Sequence, residues 1–126
     1  MSYLIPGIPM IAHGKPGIVC TGTGTTIIGG PKKRLIAPHV VFHLSAVSGF
    51  TTEPTISVGT NNPNYDNIVG AFPIIGLSTL NDYIALYLGS GALASIASGA
   101  DLRVNVSVAA VSTTYTLGVY LVGFGP

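Results

Sequence analysis

From Gly17 onward the chain alternates apolar and polar residues with a period of two, the spacing of half-buried β-strands. Ile18-Val19-Cys20-Thr21 and Thr25-Thr26-Ile27-Ile28 flank a Gly22-Thr23-Gly24 turn, and Gly29-Gly30-Pro31 stops the run. From His39 to Val47, Val41, His43, Ser45 and Val47 fall on one face, with Val40, Phe42, Leu44 and Ala46 on the other. Ile56 and Val58 share one side of a short strand over Thr55 to Gly59. Ile84, Leu86 and Leu88 alternate with Tyr83, Ala85 and Tyr87. Leu102, Val104, Val106 and Val108 oppose Arg103, Asn105, Ser107 and Ala109. Tyr115, Leu117, Val119 and Leu121 form an inner row against Thr116, Gly118 and Tyr120. About seven or eight such runs separated by Gly, Pro, Asn and Ser predict an all-β domain, an antiparallel β-sandwich or jelly roll. The last two strands, joined through Val111-Ser112-Thr113, are expected to form a hairpin. Gly91 to Gly99 breaks the alternation, and its Leu93, Ile96 and Ala97 are spaced for a short helix or a coil.

The first 17 residues read differently. Pro6, Pro9 and Pro16 exclude a helix and a central strand. Leu4, Ile5, Ile8, Met10 and Ile11 make the segment too apolar for a solvated tail. The expectation is an extended N-terminal arm over residues 1–17, laid on another surface, followed by a sandwich domain over 18–126. Tyr3, Leu4, Ile5, Ile8, Met10 and Ile11 are its expected partner-binding residues.

Composition alters the picture through charge. Only 7% of the 126 residues are charged, with a formal net charge of +1, where a soluble domain typically carries roughly 25% charged residues. A surface so nearly neutral does little to oppose association, which points to a homo-oligomer or a larger assembly. It also argues against nucleic acid as a partner, since Lys32-Lys33-Arg34 is the one basic cluster and follows Gly29-Gly30-Pro31 in a loop. Residues 104–126 carry no charge, yet their alternation and threonines read as strand, so no membrane span is expected. The first residues lack the positive stretch of a secretory signal, and synthesis in the cytoplasm is expected.

Candidate chemistry is sparse. The four acids are Glu53, Asp66, Asp82 and Asp101; the three histidines are His13, His39 and His43. On a strand, His39 and His43 stand roughly 13 Å apart, too far for one zinc ion with bonds near ~2 Å; they read as polar tips on an exposed or interface face. Thr21 to Thr26 lacks the Lys and the following helix of a phosphate loop. Cys20 reads as a small buried residue. No nucleophile comes with an evident base, so neither an enzyme nor a cofactor or metal site is expected. The most distinctive stretch runs from Asn61 to Asn67. With Asn61, Asn62, Asn64, Tyr65 and Asp66 it reads either as a contact loop for a hydroxyl-rich ligand or as an Asx-type loop pinned by Tyr65 packing inward.

Val58-Gly59-Thr60-Asn61-Asn62-Pro63-Asn64-Tyr65-Asp66-Asn67-Ile68, then Leu102-Arg103-Val104-Asn105-Val106 and Thr113-Thr114-Tyr115-Thr116-Leu117, resemble small virion proteins of tailed bacteriophages. In that group a GTN…YD-I loop follows one strand and a D-(L/V)-x-V-x-V…TYT hairpin closes a β-sandwich; Asp101 and Tyr115 stand at the corresponding places. The likeness runs from about Thr55 to Phe124 and includes neither the arm nor residues 18–50. It implies a structural protein of the virion surface: a capsid decoration (cement) protein, commonly a trimer clamping the major capsid protein with a terminal arm. The alternative it leaves open is a fibre or receptor-binding module that contacts glycans through the Asn61–Asn67 loop.

Overall fold

The computed structural model describes residues 10–88 and 95–124. Nine strands run in chain order: β1 (Met10–Val19), β2 (Gly24–Ile27), β3 (Leu35–Ser48), β4 (Thr55–Gly59), β5 (Val69–Pro73), β6 (Tyr83–Tyr87), β7 (Ser95–Ile96), β8 (Arg103–Val108) and β9 (Thr114–Phe124). They form two antiparallel sheets. Sheet A has the order β1-β9-β3-β6, with β7 also pairing the start of β3; sheet B has the order β2-β8-β4-β5. The protein is an all-β sandwich.

The pairings are nested. The β4–β5 ladder lies innermost in sequence, β3–β6 encloses it, then β2–β8, then β1–β9. The chain therefore behaves as one long ladder rolled over so that alternate segments fall in opposite sheets. The inner rows read from the alternation meet between them: Val40, Phe42, Leu44, Ile56, Val58, Val104, Tyr115, Leu117, Val119 and Leu121 are all completely buried.

Several details differ from the sequence reading. The last two strands are not a hairpin, because β8 lies in sheet B and β9 in sheet A. The residues between them turn a corner across the sandwich, held by Ala110 N donating to the Cys20 carbonyl and Thr113 N to that of Ser48. Bulges also re-phase the faces of β3. Its register shifts between Leu44 and Ala46, so Val47 lies opposite the buried Tyr115 and packs on the core rather than continuing the row of Val41 and His43. In the irregular segment, Ser95 and Ile96 pair with Ile36 and Leu35 as strand, and Ile96 is buried; a helical reading is excluded there, while 91–94 lie outside the described residues.

The arm boundary at Gly17 falls within β1. Met10 lies opposite Phe124, Ile11 opposite Gly123, and pairing continues to Lys15, where a bulge at Pro16-Gly17 precedes Ile18 opposite Leu117. Proline is tolerated because β1 is an edge strand and the bulge needs no ladder donor from Pro16. Of the arm residues, Tyr3, Leu4, Ile5 and Ile8 lie outside the described residues.

Cys20, just past β1, is completely buried, with Sγ 3.6 Å from the Ile18 carbonyl. Burial pushes its thiol up to about 12. The nucleophile is the thiolate, so a disulfide reagent at pH 8 is expected to leave Cys20 unmodified in the folded chain and to label it once urea unfolds it. An unfolded thiol ionises near ~8.5. Between that pH and about 12 the folded chain binds more protons, and stability falls as pH rises.

Candidate functional site

The two outer faces of the sandwich are finished in different ways, and the difference separates the candidate residues. On sheet B, the turn between β4 and β5 folds back over the outer rows of β4 and β8. Asn61 organises it. Its Oδ1 accepts from the backbone N–H groups of Asp66 (2.8 Å) and Asn67 (3.0 Å), and its Nδ2 donates to Asp66 Oδ1 (2.7 Å). Thr60 N donates to Asn67 Oδ1 (2.8 Å), and Asn67 Nδ2 returns a bond to Thr60 Oγ1 (3.1 Å). The Asn64 carbonyl accepts from Ser57 Oγ (3.2 Å) and Asn105 Nδ2 (3.4 Å), which anchors the turn to both strands beneath it. Covered in this way, Ser57 is buried although it belongs to an outer row.

Such an approach requires glycine at position 59. A Cβ there would lie 2.5 Å from the Tyr65 carbonyl carbon and 2.6 Å from the Asp66 nitrogen, both backbone atoms that cannot step aside. Tyr65 is only 4% exposed. Its hydroxyl donates to Asp101 Oδ2 (3.2 Å), Asp101 Oδ1 accepts from Arg103 Nε (2.9 Å), and the Arg103 guanidinium lies 5.2 Å from the Tyr65 ring centre. The hydrogen bond from Arg103 is the main influence holding the Asp101 carboxyl below its usual range, with the Arg103 charge and the Tyr65 hydroxyl adding to it against a smaller effect of desolvation.

The Asn-rich stretch is therefore a self-satisfied Asx-type loop. Tyr65 turns its ring inward and offers no open aromatic platform; Asn61, Asp66 and the Asn64 carbonyl spend their polar groups on one another and on the sheet. Asn62 takes part in none of these bonds. Sequence reasoning missed the Tyr65–Asp101–Arg103 contact, although its members stand in separate motifs of the phage-protein resemblance. Asn61→Ala removes three bonds at once and strands two backbone donors. It is expected to cost about 1–3 kcal/mol, read as a lower urea midpoint together with faster amide exchange at Asp66 and Asn67.

No family model matches the chain, and no curated protein or solved structure matches it.

The remaining candidate side chains of the described residues lie apart from this loop. His13 lies in β1 and donates from Nε2 to the Gly29 carbonyl (2.8 Å), a structural tie between β1 and the end of β2. Lys32 and Lys33 flank a shallow cleft of about 240 Å³ floored by Pro31 and Leu35. A second cleft, about 280 Å³, lies between Thr60, Asn67 and Ile68 on one side and Ser95 to Ala97 on the other. Among the described residues no three His, Cys, Asp or Glu side chains gather as metal ligands, no buried side-chain polar atom lacks a partner, and no helix is long and apolar enough to cross a bilayer.

Sheet A is finished in the opposite way. No loop bond in the described structure ties down its outer rows, which pair as Val122–His39–Tyr87, Tyr120–Val41–Ala85 and Gly118–His43–Tyr83 across β9, β3 and β6. His39 and Tyr87 meet with their rings tilted by 52° and ring centres 5.4 Å apart. Tyr83 and Tyr87 are 64% and 70% exposed. His39 and His43 thus sit where the alternation put them, as polar tips among tyrosines.

Proposed function

We propose that this chain is a structural subunit of a virion shell, a capsid decoration or cement protein, which acts by burying its surface against copies of itself and a major capsid protein rather than by catalysis. One observation carries the reading: all nine charged side chains of the sequence lie away from the outer rows of β9, β3 and β6. They occupy the β2–β3 loop, the ends of β4 and β6, the Asn61 loop, the rim of β1, and β8 with the residues before it. A charge-free, tyrosine-bearing face of that size suits a permanent contact, since fully buried interface cores are depleted in charge and rich in aromatic residues.

Two further features support it. We read the nested pairing of strands as a jelly-roll-like winding of the sandwich, an architecture used by viral capsid domains among others, although fold alone assigns no function. The Asn61 loop is rigidified against its own sheet, which suits a stiff building block better than an adaptable ligand loop. In this reading the apolar residues Tyr3, Leu4, Ile5 and Ile8, ahead of the β1 ladder, reach a neighbouring subunit, and repetition over a shell multiplies modest contacts into a strong hold.

The test is made on purified particles from cells that produce the chain. Mass spectrometry and immunogold microscopy are expected to find it at a fixed copy number on the outside of the shell. Replacing Tyr3, Leu4, Ile5 and Ile8 with serine in the full chain is expected to lower occupancy without unfolding it. Absence from particles would refute the reading, and unchanged occupancy in the serine variant would remove the arm from it.

A further inference from the structure

We infer that the outer face of sheet A is a self-association surface on which a second copy of this chain packs face to face about a two-fold axis. The inference rests on the assembly reading above and names the partner of this one face.

The middle of the face is low for a specific reason. Tyr120 lies down along the sheet instead of standing away from it. A Cβ on Gly118 would meet two ring carbons and the hydroxyl oxygen of Tyr120 at 2.7–3.0 Å, and one on Gly14, across the ladder in β1, would meet a third ring carbon at 2.9 Å. The two glycines make the bed in which the ring rests. With Val41 and Ala85 beside it, the middle of the face is low and smooth, and the more exposed Tyr83 and Tyr87 line one margin.

Chemistry selects the occupant. A nucleic acid or an acidic partner needs cations, and the basic Lys32-Lys33-Arg34 cluster lies off this face in the β2–β3 loop. A basic partner needs carboxylates, and the face has none. A neutral face of aliphatic, tyrosine and histidine side chains can meet its own copy without opposing like charges. A patch that binds itself does so about a two-fold axis.

Size is consistent with a pair. Four strands at ~4.8 Å spacing by about ten residues at ~3.3 Å give a footprint of roughly 630 Å², against about 600–1,000 Å² per partner in specific interfaces. The footprint falls at the lower end of that range, so the pair is expected to dissociate on dilution.

Sedimentation equilibrium of the full chain is expected to give a mass of twice 12.8 kDa at high concentration, falling towards one chain on dilution. Val41→Lys places a charge near the axis, where it faces its own copy, and is expected to weaken the pair roughly 100-fold. Its unfolding midpoint should stay near that of the parent, because Val41 points away from the core. Ser107→Lys, on sheet B, is expected to leave the mass unchanged. Should Val41→Lys fold poorly, Val41→Cys supplies the second measurement: oxidation is expected to link two chains through the introduced thiol, Cys20 being buried.

A monomer at every concentration, a trimer, or a dimer indifferent to both Val41 changes would overturn the inference. A monomer still present on particles would remove the pair alone and leave the shell reading standing. A pair absent from particles would do the reverse.

Discussion

Tyr115→Ala is expected to be among the most damaging single substitutions in this chain, lowering stability by about 3–5 kcal/mol against a total of about 5–15 kcal/mol for a domain of ordinary stability. Tyr115 is completely buried, the largest side chain of which that is true among the described residues. Its ring packs 6.1 Å from that of Phe50, centre to centre, and its hydroxyl donates to the carbonyl of Leu77 in the β5–β6 connection. Removing the ring opens a cavity between the sheets and also orphans that carbonyl. Tyr115→Phe separates the two effects: the ring stays, and the loss is expected to be about 1–3 kcal/mol, the cost of leaving a buried acceptor unpaired. Urea unfolding of the three proteins provides the check. Equal midpoints for Tyr and Phe would show that the hydroxyl contributes nothing, and a midpoint for Ala no lower than for Phe would show that the site collapses around the missing ring. Desolvation raises the phenol above its ordinary range, so the hydroxyl remains a donor throughout that measurement.

The inner rows were legible because burial imposes a period of two on strands that turn one face to the core. Phe42 and Leu44 on β3, and Leu117 and Val119 on β9, follow it without exception. What alternation does not encode is the partner of each strand. The short segment between Val108 and Thr114 reads as a hairpin turn, yet the chain crosses from sheet B to sheet A within it, because the outermost ladder joins β9 to β1 from the other end of the sequence. Bulges are equally silent. Ser45 and Ala46 keep the alternation in sequence while the register shift turns Val47 inward, and the Ser45 hydroxyl bonds to the Thr116 carbonyl beside it.

The candidate contacts divide in the same manner. The Asn61 loop was visible from composition, because asparagines bond locally to their own backbone; its docking to Ser57 and Asn105 depended on β4 and β8 being neighbours. The smooth face of sheet A is built from rows on strands distant in sequence. His39 and His43, Tyr83 and Tyr87, Gly118 and Tyr120 each look unremarkable alone. Only the order β9-β3-β6 sets them side by side.

Phe42→Ala is expected to cost about 3–5 kcal/mol, while Val41→Ala, one residue away, is expected to cost little and to weaken association instead. Phe42 is completely buried and meets Phe72 edge-on, ring centres 5.9 Å apart, so truncation removes the contact that spans the two sheets. Val41 lies on the opposite side of the same strand, opposite Tyr120 and Ala85, only partly covered. Shortening it removes little buried area from the single chain, and what it removes is presented to the partner. Unfolding midpoints and sedimentation masses, taken on both variants, should therefore move in opposite combinations: Phe42→Ala loses midpoint and retains pairing while folded, and Val41→Ala retains midpoint and pairs less tightly. A strand whose two faces answered alike to both measurements would mean that the outer row belongs to the folding core and not to a contact between chains. The alternation of β3 would then carry stability alone, and the charge-free face would need another reason to exist.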